Sequence, residues 1–204
     1  MSRERRPIPE APVSRETRRR LDRFRDLLLA WRERINLIAE RDAAAVEQRH
    51  IADSLQLLPL LPAQGAVADL GSGAGFPGLV LAIATERSVH LIESDRRKAA
   101  FLLEASRLLG LPHVHIHAAR IEAVPLTGMA AVTARAVAPL RRLLPHAVRL
   151  LGPGGVAIFP KGRTAEAELT DAAGDWKMTI ERFQSRTEPD ATILRLSDIR
   201  RAGA

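Results

Sequence analysis

Residues Ala66 to Leu70 form an apolar run that passes straight into a glycine-dense turn, Gly71-Ser72-Gly73-Ala74-Gly75, followed by Phe76-Pro77-Gly78. Glycine tolerates the left-handed backbone and lets its amide approach a ligand closely, while the proline ring suits a first helical position. Such a strand, turn and helix start commits the chain to an α/β architecture. A second apolar run, Ser88 to Ile92, then closes on Glu93. That carboxylate falls about 20 residues past the first glycine, where a ribose hydroxyl is read in nucleotide-binding units. The glycines alone would specify only a tight turn. Strand, turn, helix, strand and acid in this order describe a cofactor loop.

The loop also discriminates between cofactors. Asp69 stands two residues before Gly71; a fixed carboxylate there disfavours the pyrophosphate of a dinucleotide and suits an ammonium group. S-adenosylmethionine has that ammonium, a ribose for Glu93 and no phosphate, so it is the expected ligand of Gly71, Gly73 and Glu93, leaving as S-adenosylhomocysteine. The alternative is a nicotinamide cofactor and oxidoreductase chemistry.

The 204 residues and 46% apolar content suit one domain with an ample core. There is no cysteine, which excludes disulfides, thiolate zinc sites and a cysteine nucleophile and fits a reducing, cytoplasmic setting. The Arg-rich start lacks the apolar stretch of a signal peptide, and no apolar run is long enough to cross a membrane. Net charge is +7, and residues 1–25 hold nine arginines against four acids. That excess suits a polyanion, although a solvated tail and helix face would explain it equally well. A non-catalytic RNA-binding assembly factor therefore stands as a further alternative.

Residues 1–13, with Pro7, Pro9 and Pro12 among charges, are expected to form a mobile basic tail. Ser14 can cap a helix on which Leu21, Phe24, Leu27, Leu28, Trp31 and Ile35 share one face, more consistent with core than with a base-stacking platform. A second helix is expected from about 42 to 58, so residues 14–62 make a helical cap. In residues 63–204 strands near 66–70, 88–92, 113–117, 130–134 and 155–160 alternate with helices near 77–85, 95–109, 138–151 and 164–173. Residues 176–185 and 191–196 suggest a closing hairpin. The alternation predicts a mostly parallel sheet with helices on both faces and ligands at the carboxyl ends of its strands.

Several other residues fall on that edge. Arg120-Ile121-Glu122 follows the third strand and Arg135 the fourth. In the cofactor reading Ile121 and Glu122 lie beside the adenine, and Arg135 offers a fork of donors for a carboxylate or phosphate. Lys161, beyond the fifth strand, could meet an RNA phosphate. His50, Asp53 and Ser54 share a helical turn, a poor hydrolytic triad and a better cap or RNA contact. His113, His115 and His117 alternate on one strand; an outward polar face explains them, and no metal is expected. Without cysteine, methylation at pyrimidine C5 is excluded, and the sequence around Arg135 has no segment to hold an exocyclic amine. Guanine N7 has a free in-plane lone pair, so a site without a general base would suffice, and no catalytic residue is named.

Taken in order, Asn36-Leu37-Ile38, Arg49-His50-Ile51-Ala52-Asp53-Ser54-Leu55, Asp69 to Gly78, Arg120-Ile121-Glu122 and Arg135-Ala136 resemble the bacterial small-subunit rRNA guanine-N7 methyltransferases, the glucose-inhibited division protein B family. The resemblance spans about residues 20–200. It implies a class I, Rossmann-like methyltransferase fold with a seven-stranded sheet, and S-adenosylmethionine as methyl donor. Its target would be one guanine in the decoding-side loop of 16S rRNA, in the free RNA or the small ribosomal subunit. By the same resemblance Gly71, Phe76, Ile121, Glu122 and Arg135 contact the cofactor. A monomer without membrane or metal partners is expected.

Overall fold

The computed structural model describes residues 4–203. Seven strands form one sheet: β1 (Val67–Leu70), β2 (Val89–Ile92), β3 (Val114–His117), β4 (Met129–Ala134), β5 (Leu151–Lys161), β6 (Trp176–Gln184) and β7 (Thr192–Arg201). Their order is β3-β2-β1-β4-β5-β7-β6. The first five are parallel, and only β7 runs against its neighbours β5 and β6.

Strand sequences explain the layers. Val67, Val89, Leu91, Ala131 and Ile158 bury one sheet face under the helices α1 (Arg15–Arg32), α4 (Gly78–Ala84) and α5 (Arg96–Leu108). Their neighbours Ala68, Leu70, Ile92, Val132 and Phe159 bury the other under α6 (Leu140–Leu150) and α7 (Ala165–Ala172). Both sides of the central strands are therefore apolar, as parallel sheets require. The β3 to β4 connection holds only a single turn, Ile121–Ala123, which leaves the Ile121–Glu122 segment at the carboxyl edge.

Ser14 caps α1 by accepting from the Thr17 amide at 3.0 Å. Leu21, Phe24 and Leu28 are fully buried, with Phe24 5.4 Å from the Phe76 ring and Trp31 5.6 Å from Phe101. The aromatic stripe is thus core, and burial of a phenylalanine stabilises by about 1.5–3 kcal/mol. The second expected helix is segmented: α2 (Ala43–Val46), a π-turn at Glu47–Ile51 and α3 (Ala52–Leu55). The widened turn carries Arg49 and His50, and such bulges recur at functional sites.

The first residues depart from the expected tail. Residues 4–10 pack along the sheet edge: the Arg6 amide donates to the Arg182 carbonyl, the Gln184 amide donates to the Arg6 carbonyl, and Ile8 is only 7% exposed. An edge strand gains backbone partners this way. Arg3, included in the expected basic tail, lies outside the described residues.

Candidate cofactor and substrate site

The strand order reverses between β1 and β4, and the crevice there is where open α/β sheets bind ligands. Gly71 and Gly73 turn the chain off β1 with φ of 63° and 55°, conformations that L side chains enter at a penalty. A Cβ on Gly73 would meet nothing closer than the Gly71 carbonyl at 3.8 Å, so the space on that side of its backbone is open. A Cβ on Gly71 would lie 2.8 Å from Val137 in the segment after β4. Glu93, at the end of β2, accepts from the Gly73 amide at 2.8 Å and from the Asp95 amide at 2.7 Å. The sequence pairing of glycine loop and acid is therefore a physical contact.

Asp69 does not reach this cradle. It is fully buried beneath the loop, accepting from Thr133 Oγ1 at 2.7 Å and from the Gly78 amide at 3.2 Å. Burial pushes its carboxyl up to about 6 despite those hydrogen bonds. The expected role of Asp69 toward an ammonium group is corrected: its carboxylate instead ties β1 to β4 and to the start of α4.

Arg135 joins the sheet to the cap. Its Nη1 donates to Asp53 Oδ2 at 3.2 Å and to the Arg49 carbonyl at 3.1 Å, and Nη2 lies 2.9 Å from His50 Nδ1. A guanidinium only donates, so Nδ1 accepts and the ring proton sits on Nε2, 2.7 Å from Glu40 Oε2. Burial holds the His50 pKa below its ordinary value, outweighing Glu40 and assisted by the charge of Arg135. The hydrogen bond from His50 in turn lowers Glu40. Glu40, a neutral His50, Arg135 and Asp53 thus form one chain of hydrogen bonds. The His50 ring stacks 4.8 Å from Phe76, and the Arg135 guanidinium lies 5.1 Å over the same ring.

Phe76 is only 5% exposed, packed by Phe24, His50 and Arg135. It supports the site from below and offers a ligand little surface. Ile121 follows β3 at the open edge; the Ile121 carbonyl accepts from Arg149 at 2.6 Å. Glu122 is exposed, 3.5 Å from His146 Nε2. Lys161, expected on RNA, is 9% exposed and pairs with Glu168 at 2.8 Å while donating to the Ala138 carbonyl at 2.9 Å. Its charge is spent inside the protein.

A cavity of about 640 Å³ opens beside this edge, lined among others by Arg49, Asp53, Arg135, Lys161, Ser185 and Glu188. Gly71, Gly73 and Glu93 do not line it, so the cradle and the cavity are two neighbouring recesses. The histidine row also differs from expectation. His113 turns to the Ala82 carbonyl at 3.0 Å, whereas His90 from β2 joins His115 and His117, with His90 Nδ1 3.0 Å from His117 Nε2. Burial, together with these neighbours, holds His90 down to about 4. Among the described residues no group of three His, Asp or Glu could hold a metal.

The family described as GidB, rRNA small subunit methyltransferase G, matches residues 17–191. The chain is 52% identical to the "Ribosomal RNA small subunit methyltransferase G" of Granulibacter bethesdensis over 93% of its own length and 89% of the relative's. It is 56% identical to the protein of that name from Acidiphilium cryptum, covering 99% and 94%. The chain belongs to the rRNA small subunit methyltransferase G family. Among solved structures it resembles a SAM-dependent methyltransferase from Aquifex aeolicus, with TM-score 0.59, 15% identity, and 76% and 93% of the two chains covered. It also resembles M. jannaschii TYW2 in complex with AdoMet, at TM-score 0.58, 18% identity, and 81% and 79% coverage. These likenesses establish the class I methyltransferase fold.

For a member of the rRNA small subunit methyltransferase G family, two participants leave no mark in the local sequence. Glu40 lies ten residues before His50 in an irregular segment, and no spacing rule links them. Thr187, whose hydroxyl donates to Asp53 Oδ1 at 2.8 Å, comes from the β6–β7 turn. Neither carries a local signal, because both contacts are made by tertiary packing.

Proposed function

We propose that this chain methylates N7 of one guanine in the decoding-side loop of 16S rRNA, using S-adenosylmethionine. The observation that carries this is the contact between Gly73 and Glu93 at the strand-order reversal, in a chain of the rRNA small subunit methyltransferase G family. Membership in that family sets aside the nicotinamide oxidoreductase and the non-catalytic assembly factor.

The residues present fit the cofactor. The open space over Gly73 admits a ligand against the backbone, and Glu93 keeps lone pairs for ribose hydroxyls while its oxygens hold Gly73 and Asp95. Ile121 supplies apolar surface for the adenine, with Glu122 next to it, and Gly71 sets the turn that shapes the cradle. Phe76 and Arg135 serve from beneath, as a platform and a tether. When bound, S-adenosylmethionine supplies an electrophilic methyl group on a sulfonium. The protein then has to align guanine N7 with it, since that lone pair needs no proton removed. The side chains accord with this: both nitrogens of His50 are committed, to Glu40 and Arg135, and Asp53 is held by Arg135 and Thr187. None stands free as a base.

The cavity beside Arg135 is of a size to hold a purine turned out of the RNA. Arg135 binds the cap to the sheet, which supports residues 14–204 working as a single methyltransferase unit. No helix among the described residues is long and apolar enough to cross a membrane, and an rRNA substrate supports a cytoplasmic location. Purified protein incubated with small ribosomal subunits and methyl-labelled S-adenosylmethionine should place label in 7-methylguanosine of 16S rRNA, detected by nucleoside mass spectrometry. Label in another nucleoside, or none with either free RNA or subunits, would overturn the assignment.

A further inference from the structure

Five arginines of the basic N-terminal stretch, the sequence's most conspicuous candidate for RNA contact, have ion-pair partners in the fold. Arg6 pairs with Glu181, Arg18 with Glu47, Arg19 and Arg20 with Glu16, and Arg25 with Asp22 and Asp26. The far end of α1 is different. There a hollow of about 370 Å³ is lined by Arg32, Arg34, Arg41, Asn36 and one acid, Glu33. Arg32, Arg34 and Arg41 make no ion pair among the described residues, and the Nε–H of Arg32 is buried without a hydrogen-bond partner there. A fourth guanidinium adjoins them, since Arg97 donates to the Arg34 carbonyl at 2.7 Å.

Gathering like charges around one recess is unfavourable unless an anion offsets it. Planar guanidinium forks match the paired oxygens of a phosphate. The location suits the RNA of the preceding reading. Arg97 sits in the first turn of α5, two residues after Asp95, whose amide is on Glu93. The hollow thus borders the cofactor side of the catalytic edge. We infer that Arg32, Arg34, Arg41 and Arg97 form a phosphate-binding hollow that grips the rRNA backbone flanking the target nucleotide, an assignment that rests on the rRNA methyltransferase reading.

The test is the salt dependence of binding to a 16S rRNA fragment containing the decoding-side loop. Each phosphate contact contributes a log-log slope of about −0.7 to −0.9. The double variant Arg34→Gln/Arg41→Gln should make the slope shallower by roughly 1.4 to 1.8, with S-adenosylhomocysteine affinity unchanged as a check that the fold and cofactor site persist. The control, Lys177→Gln/Arg200→Gln, removes the same net charge from two exposed, paired positions on β6 and β7 at the opposite edge of the sheet. Its slope should stay near that of the parent. Equal slopes for the two double variants would overturn the hollow while leaving the methyltransferase reading intact. A parent protein that neither binds nor methylates the RNA would overturn both. Arg97→Gln supplies an independent reading if the double variant misfolds: no change in its slope counts against the hollow, and a loss of one contact supports it.

Discussion

Asp53 on α3 holds Arg135 at the end of β4 with an oxygen 3.2 Å from Nη1, so the carboxyl edge of the sheet is tethered directly to the N-terminal cap. The same guanidinium receives support from the Arg49 carbonyl and His50. Both side chains of the ion pair are about one-fifth exposed or less, so water screens them only in part.

Three partners at three positions need the planar fork of arginine. Arg135→Lys keeps the charge but gives up at least one of these hydrogen bonds. The expected result is a loss of about 2 kcal/mol in transition-state stabilisation, or roughly thirtyfold in kcat/KM. Methyl transfer at saturating cofactor, measured beside the thermal midpoint, checks it; unchanged turnover in a folded variant would mean the fork does not position the site.

The two left-handed glycines should respond differently to alanine. At Gly71 the new methyl meets Val137 at 2.8 Å, whereas at Gly73 no protein atom lies nearer than 3.8 Å. Both substitutions carry a backbone penalty of about 1–2 kcal/mol. Adding Val137→Ala should therefore recover part of the stability lost in Gly71→Ala and none of that lost in Gly73→Ala. Gly73→Ala should weaken S-adenosylhomocysteine binding out of proportion to its effect on stability. Calorimetry with urea titration separates the two.

His50 must be neutral to accept from Arg135. Its pKa is lowered, so a second proton arrives only at acid pH, where a new N–H would face the guanidinium. Activity should fall on an acid limb below the ordinary histidine range. In His50→Asn that limb should disappear and the rate should be low throughout. An acid limb that survives the substitution assigns it to another group.

Asp69 titrates in the opposite sense to an ordinary paired carboxylate. Its folded pKa is raised from 3.8 to about 6 by burial, so the folded state binds the extra proton across that window. Its contribution is fully present below the lower value and is lost as pH rises through the upper one, a difference of roughly 3 kcal/mol. Asn at this position can still accept from Gly78 and donate to Thr133. Urea unfolding of Asp69→Asn should lack this pH dependence, so the stability difference between variant and parent should shift in favour of the variant as pH is raised from about 4 to about 6. A parallel pair of curves would contradict the burial argument.

Much of the frame follows from local chemistry. The apolar runs at β1 and β2, the cap at Ser14 and the turn glycines each act through near neighbours, so their ranges come out of the sequence within a residue or two. The short closing hairpin is extended by packing, with β7 continuing to Arg201. The Gly73 and Glu93 contact was legible because the strand–helix–strand unit fixes the separation of its two ends.

What the sequence determined alone is the glycine turn with its Glu93 partner and the parallel sheet, since periodicity, capping and glycine conformation are properties of contiguous residues. The tertiary structure decided which charges remain available. It sank Asp69 beneath the loop, paired Lys161 with Glu168 and Arg18 with Glu47, and brought Glu40 to His50. It left Arg32, Arg34 and Arg41 without ion-pair partners among the described residues around one hollow. The reason is physical: the effect of a charge depends on its desolvation and on partners that folding brings from distant parts of the chain.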